Sequence, residues 1–175
     1  MHHLRYPIGE FSLPDQMTAH DIEQCIERIA ILPEKMRTAA AGLTPEQLHT
    51  PYRPEGWTVL QVIHHIPDSH MNGYIRFQWT LTENTPTIKA YNQNTWADLE
   101  YQNQLPPEVS LGILDMVHQR WVYLLRSLGE AQWNRTFVHP EDQHEYALKQ
   151  ALALYAWHGD HHLAHITSLK ERMNW

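Results

Sequence analysis

The chain has 175 residues, of which 42% are hydrophobic, and its formal net charge is −7. This length suffices for one domain with a real core, and the apolar content is too high for a disordered chain. The acidic balance and the lack of a basic run argue against nucleic acid or an anionic membrane as a partner. The single cysteine, Cys25, excludes an internal disulfide. We find no signal peptide and no membrane-spanning apolar run, so we expect a cytoplasmic protein.

The first half of the chain predicts an N-terminal arm and two long helices. Two prolines and a glycine within residues 1–14 indicate an extended arm. Apolar residues recur at helical spacing over residues 18–43, where Pro33 is expected to kink or split the helix. Thr58 is a good N-cap for a second helix, which runs to about Thr82 and contains Pro67.

The second half predicts two further helices, over residues 109–128 and 148–173. The apolar stripe of the third helix is assigned to Ile113, Met116, Val117, Trp121, Leu124, Leu125 and Leu128. The connections 83–107 and 129–147 show no strand periodicity, although a short helix is expected near residues 95–101. The pattern predicts one all-α domain over residues 1–175, a four-helix bundle whose long connections cap one end.

Histidine is the unusual feature of the composition, with 14 residues. On a helical wheel, His158, His162 and His165 lie in the middle of the apolar stripe of the fourth helix, within about 60° of Ala151. Burying imidazoles is unfavourable unless their nitrogens have partners. His158 and His162 have the i, i+4 spacing by which one helix gives two ligands to a metal ion. The pair His162 and His165 is an alternative, and so are core histidines that only pack.

A third ligand is needed for an open catalytic site, and the second helix offers candidates. His70 lies near the apolar centre of its wheel, His65 at the edge, and His64 points away. The wheel alone therefore slightly favours His70. The other histidines, including His118, His139 and His144, are interpreted as surface or core residues.

The sequence resembles the DinB-like superfamily, and within it the YfiT group. The resemblance extends through nearly the whole chain, at residues 6–10, 50–53, 56–58, 64–66, 68–72, 74–77, 82–83, 85–86, 139–140, 157–158, 161–162 and 165–166. Bacterial members of this group are described as metal-dependent hydrolases or bacillithiol S-transferases. Pro67 departs from the family pattern, which has a small residue at this position.

The resemblance implies an up-down four-helix bundle, a homodimer, and one divalent metal per subunit held by His65, His158 and His162. It thereby decides for His65 over His70. Zinc is the default ion for imidazole ligands, and nickel is possible. His165 is then a candidate to lie behind the ligands and orient one of them.

Three neutral imidazoles leave the charge of a divalent ion unbalanced, so the ion can activate either water or an incoming thiol. The first hypothesis is transfer of a low-molecular-weight, bacillithiol-like thiol to a small electrophile. Hydrolysis of a small substrate and a non-catalytic metal-binding stress protein are the alternatives. Asp68 and Asp160 could orient a ligand imidazole, and Arg53 and Arg76 could bind a substrate carboxylate or phosphate.

Overall fold

The structure is a computed structural model that describes residues 2–175. Four long helices form a bundle, and they are α2 (Ala19–Ala40), α4 (Val59–Thr82), α6 (Pro107–Arg126) and α8 (Leu148–Met173). Helix α2 packs against α6 and α8, and α4 packs against the same two helices. The helices α2 and α4, which are consecutive long helices, therefore lie across the diagonal of the bundle. The predicted all-α four-helix bundle is confirmed.

The two prolines do not break their helices. Thr18 and Thr58 begin α2 and α4 with capping boxes, in which the threonine side chain accepts from the backbone N–H three residues on. Pro33 and Pro67 are buried inside single helices. Of the two outcomes expected at Pro33, a kink or a split, the split therefore does not occur.

The predicted stripe of α6 was wrong in part. Ile113 and Met116 are 42% and 60% exposed. The buried face of α6 instead includes Ser110 and His118, because these polar side chains find hydrogen-bond partners inside the bundle. A helical wheel that counts only apolar residues as buried misses such positions, and it therefore assigns the buried face of the helix incorrectly.

Short elements fill the connections between the long helices. They are α3 (Pro45–Leu48), α5 (Gln93–Ala97), a 3-10 turn (Glu100–Asn103), α7 (Glu130–Trp133), and the antiparallel strands β1 (Thr136–Val138) and β2 (Glu145–Ala147). The hairpin corrects the prediction of a strandless connection at 129–147. Its strands have three residues each, too short for an alternating pattern to be recognised.

The N-terminal arm begins with one helical turn, α1 (His2–Arg5), where an extended chain was expected. The arm lies against α8, where the ring of Tyr6 packs on His161 and the Arg5 carbonyl meets His165. No helix within residues 2–175 is both long and apolar enough to cross a membrane.

A histidine layer divides the core of the bundle into two apolar halves. One half contains Phe77, Trp121 and Leu152, and the other contains Met36, Ile63 and Ile166. Helices α4, α6 and α8 carry buried or partly buried histidines, and on each helix at least one of them lies between core residues of the two halves. These histidines are His64, His65, His70, His118, His158, His161, His162 and His165.

Candidate metal centre

Three histidines from two helices converge at the middle of the bundle. Helix α4 supplies His65, and α8 supplies His158 and His162 from successive turns of one face. One ring nitrogen of each can be chosen so that all three lie within 4.8 Å of one another. The structure thus brings together the three residues that the family resemblance implied.

The closest pair of nitrogens already has the spacing of a coordination site. His65 Nε2 lies 3.2 Å from His158 Nε2. Two nitrogens held about 2.0–2.1 Å from a tetrahedral zinc ion are separated by roughly 3.3 Å. The same distance allows an N–H···N hydrogen bond between the two rings without an ion, and it allows both nitrogens to bind one divalent metal when neither carries a proton.

Burial keeps the three imidazoles in the form that binds metal. Desolvation lowers the pKa of His65 to about 4. Burial, and after it the neighbouring histidines, lower the pKa values of His158 and His162 well below the ordinary value. All three rings are therefore neutral at pH 7, and no proton must be displaced before a metal binds.

The alternative ligands lie behind the cluster. His70 is fully buried, as its wheel position predicted, but its Nε2 faces His158 Nδ1 at 3.2 Å on the side away from His65. His165 Nδ1 lies 3.3 Å from His162 Nδ1. His70 contacts Nδ1 of His158, the nitrogen opposite the one that faces His65, and His165 contacts Nδ1 of His162.

Sequence reasoning missed the roles of His118 and His64. His118 is buried on α6, where its Nε2 lies 2.8 Å from His70 Nδ1. His64 does not point away from the core, as its wheel position suggested, but is buried and bonded to Ser110. The one available signal for His118 was its place between Leu114 and Trp121, at helical steps from two residues of the apolar core.

The two candidate carboxylates lie away from the three histidines. Asp160 accepts a 2.7 Å hydrogen bond from Arg28 Nε on the α2 side of α8. Burial raises the pKa of Asp68, which is partly buried on α4. Within residues 2–175, no hydrogen bond joins either carboxylate to His65, His158 or His162. The centre is therefore built from imidazoles alone.

Two adjoining clefts open beside His158, and each holds one of the predicted arginines. The Arg76 cleft, about 520 Å³, is lined by Ser69, Arg76, Tyr91, Tyr155 and His158 among others. The Arg53 cleft, about 490 Å³, is lined by Arg53, Tyr52, Trp57, His161 and His158 among others. Gln93 and Asn94, at the start of α5, line both clefts, so this segment lies between them.

Neither arginine has an acidic partner within ion-pair distance in the described part of the chain. Arg76 donates to the Tyr155 hydroxyl and the Lys89 carbonyl, and its Nε is buried without a partner. Arg53 donates to the Pro54 carbonyl and lies over the Tyr52 ring. Glu55 is the acidic residue beside Arg53 in its cleft, and it is exposed. Both guanidinium groups can therefore bind an anionic group of a ligand by donating hydrogen bonds to it.

Comparison with known proteins agrees with this architecture. A protein of Bacillus mycoides named "Putative metal-dependent hydrolase" is 52% identical over the whole of both chains, and several relatives in Bacillus cereus with that name are 51% identical. The solved structure of YfiT from Bacillus subtilis, described as a probable metal-dependent hydrolase with an unusual four-helix bundle topology, is 44% identical. It superposes with a TM-score of 0.97 over 99% of each chain.

A more distant neighbour shares the fold alone. The mycothiol-dependent maleylpyruvate isomerase is 17% identical, with a TM-score of 0.61 over 83% of this chain and 63% of the isomerase. The names of the Bacillus relatives and the three-histidine cluster together support a metal-dependent enzyme. The family model of the DinB superfamily matches residues 28–166, and the chain therefore belongs to the DinB superfamily.

Proposed function

We propose that the protein is a metal-dependent S-transferase, which joins a low-molecular-weight thiol of the bacillithiol type to a small electrophile. The observation that carries the proposal is the position of His158 at the junction of two clefts. A transferase must hold two organic molecules on either side of one reacting atom, whereas a hydrolase must hold one molecule and water. Two adjoining clefts of similar volume suit the former.

The three histidines would hold the ion and, as neutral imidazoles, would supply no charge to it. We propose zinc, because three imidazoles with an open position are a common catalytic zinc set, and nickel binds the same donors. Such an ion, when bound, is a Lewis acid that lowers the pKa of a thiol close to it. Within residues 2–175 no carboxylate is hydrogen-bonded to the three rings, so proton removal from the thiol does not rely on a protein carboxylate there.

The clefts position the two substrates. Arg53 and Arg76 can each bind a carboxylate or phosphate and so orient one molecule toward His158. In the reaction the thiol loses its proton to solvent, a sulfur–carbon bond forms, and the bond from that carbon to its leaving group breaks with the electron pair on the leaving group. Holding both molecules in place removes most of the entropic barrier to this step.

The test combines bacillithiol with monochlorobimane, which becomes fluorescent when its chloride is replaced by sulfur. The zinc-loaded protein should exceed the uncatalysed rate, and His158→Ala should lose the excess. His144→Ala, which changes an exposed histidine outside the cluster, should retain it. Equal rates for His158→Ala and the parent would disprove the proposal.

Hydrolysis is the second candidate, favoured by the names of the Bacillus relatives. It predicts that the zinc-loaded protein cleaves p-nitrophenyl esters or phosphates without any thiol. Activity on these substrates that bacillithiol does not increase would support hydrolysis over transfer. Stoichiometric metal without turnover in either assay would indicate the non-catalytic metal-binding protein.

We also propose that the protein is a homodimer that pairs through α6. Four exposed apolar residues form a stripe along one face of this helix, at positions 109, 113, 116 and 123. Steps of four, three and seven residues are typical of a helix that packs on another helix. Light scattering should give twice the monomer mass for the parent and the monomer mass for Met116→Glu.

A further inference from the structure

A row of buried imidazoles runs from the metal centre to the backbone of α2. His158 Nδ1 lies 3.2 Å from His70 Nε2, and His70 Nδ1 lies 2.8 Å from His118 Nε2. His118 Nδ1 lies 2.6 Å from the main-chain carbonyl oxygen of Ile29. His70 and His118 are 0% and 1% exposed, so water does not compete for these bonds. We call this row the Ile29 chain.

The carbonyl at its end fixes the direction of every bond in the Ile29 chain. A carbonyl only accepts, so His118 must donate from Nδ1, which leaves its Nε2 as an acceptor. His70 then donates to that acceptor from Nδ1 and is left with a bare Nε2. His158 in turn donates from Nδ1, and its own Nε2, the atom that faces His65, carries no proton.

This argument requires neutral rings, because a charged imidazole donates from both nitrogens. His118 and His70 are 1% and 0% exposed, and within residues 2–175 no carboxylate is hydrogen-bonded to either ring. A charged imidazole at either position would be a buried charge without a counter-ion, which is strongly disfavoured. Each ring therefore carries one proton at pH 7, and the chain of bonds has one solution.

A second chain reaches His162 from the N-terminal arm. His165 Nε2 lies 3.0 Å from the Arg5 carbonyl, and His165 Nδ1 lies 3.3 Å from His162 Nδ1. The same logic makes His165 a donor from Nε2 and an acceptor at Nδ1. His162 then donates from Nδ1, and its Nε2 is bare. We call this row the Arg5 chain.

We propose that the main-chain carbonyls of Ile29 and Arg5, acting through His70, His118 and His165, fix the tautomers of His158 and His162 so that both present bare Nε2 atoms to the ion. His70, His118 and His165 are thus positioning residues of the metal centre. The proposal rests on the three-histidine centre of the proposed function but not on the reaction assigned to it.

The chemical benefit is preorganisation of the ligand set. A neutral imidazole exists as two tautomers, and the one with its proton on Nε2 cannot bind a metal through that atom. Partners behind a ligand histidine fix both tautomer and ring orientation, and their loss typically lowers metal affinity about 10–100-fold. In most such sites one carboxylate or carbonyl lies directly behind the ligand, whereas here one or two further histidines are interposed.

The direct test is ¹⁵N NMR of the metal-free protein labelled at histidine, because an unprotonated ring nitrogen resonates far from a protonated one. His70, His118, His158 and His162 should carry their protons on Nδ1, which is the less stable tautomer of free histidine, and His165 on Nε2. Single His→Ala variants assign the signals. A proton found on Nε2 of His158 and His162 in the parent would overturn the proposal.

A second test measures zinc affinity by competition with a chromophoric chelator. His118→Phe removes the acceptor for His70 and should weaken zinc binding about 10–100-fold. His118→Gln, whose side-chain oxygen can take the place of Nε2, should bind within a few-fold of the parent. Equal affinity of a folded His118→Phe and the parent would contradict a positioning role.

The Arg5 chain provides an independent variant pair if His118→Phe does not fold. His165→Phe should weaken zinc binding, whereas His165→Asn, which keeps an acceptor near the position of Nδ1, should restore it. Equal affinities of His165→Phe and His165→Asn would refute the role of this chain. Neither the spectrum nor the affinity involves turnover, so a failed S-transferase assay leaves both tests intact.

Discussion

Replacing Gly73 by alanine tests how closely α4 packs against the side chains of α6 and α8 beside the metal centre. Gly73 is buried in α4. A Cβ added there would lie 2.6 Å from Tyr155 Cζ, 2.7 Å from Tyr155 Cε1 and 2.8 Å from Trp121 Cη2. The Tyr155 hydroxyl accepts a hydrogen bond from Arg76, and Trp121 is fully buried, so neither ring moves freely.

Two effects of opposite sign decide the magnitude. Alanine is favoured over glycine inside a helix by about 1 kcal/mol. Forcing a methyl group into a well-packed core costs about 1–3 kcal/mol. The difference is a loss of up to about 2 kcal/mol in the free energy of unfolding for Gly73→Ala. The displaced Tyr155 ring would also shift Arg76 in its cleft.

Gly112 is the matched control. It is exposed on α6 within one subunit, and a Cβ added there would meet nothing of its own chain within 4 Å. Because Gly112 lies on the face of α6 proposed to pair, both alanine variants are made in the Met116→Glu background. Gly112→Ala should therefore stabilise the protein by up to about 1 kcal/mol. Urea unfolding followed by circular dichroism measures the stability of both variants. Their unfolding midpoints can be compared directly if the m-value, the dependence of the free energy of unfolding on urea, is the same. If both alanines stabilise the protein to the same extent, the close approach at Gly73 is refuted.

Three further predictions concern pH, helix capping and the clefts. The unfolded chain binds protons at His65 and His118 more tightly than the folded chain does, since their pKa values fall from 6.5 to about 4 on folding. The metal-free protein should therefore be fully stabilised above pH 6.5 and lose roughly 3 kcal/mol per histidine as the pH falls toward 4. A urea midpoint that does not change between pH 7 and 5 would contradict this. Thr58→Ala removes the N-cap of α4 and should lower the free energy of unfolding by about 0.5–2 kcal/mol, measured in urea. Arg76→Gln should raise the KM for an anionic electrophile about 10–100-fold while an uncharged electrophile is unaffected, and a similar rise for both would indicate general damage to the cleft.

Local sequence signals predicted the helices well. The predicted fourth helix, residues 148–173, has the observed bounds, and Thr58 caps α4 as its position before an apolar run indicated. Helix α6 was predicted at the right place but with the wrong face in part. The spacing of Ile113 and Met116 predicts that they belong to the core, yet both are exposed. Helical periodicity reports which side chains are hydrophobic, but not whether another element packs against them.

From residue spacing alone, the candidate site was predictable only within one helix, and the third ligand, His65, came from the family resemblance. The i, i+4 spacing points to His158 and His162, since both lie on one apolar face. The approach of His65 depends on how α4 packs against α8, and the wheel favoured His70. The contribution of His118 depends on the packing of α6 against α2 and α4, across 48 residues from His70. Such long-range contacts leave no local pattern in the sequence.

The most direct test of the three-histidine centre is elemental analysis of the untagged protein, purified without a metal column and dialysed after loading with zinc. The parent and His144→Ala should each retain about one zinc per chain. His65→Ala, His158→Ala and His162→Ala should each lose most of it, because two imidazoles rarely hold the ion against dialysis. A full equivalent of zinc retained by a variant that combines all three alanine substitutions, or none retained by the parent, would contradict a metal centre built on these histidines.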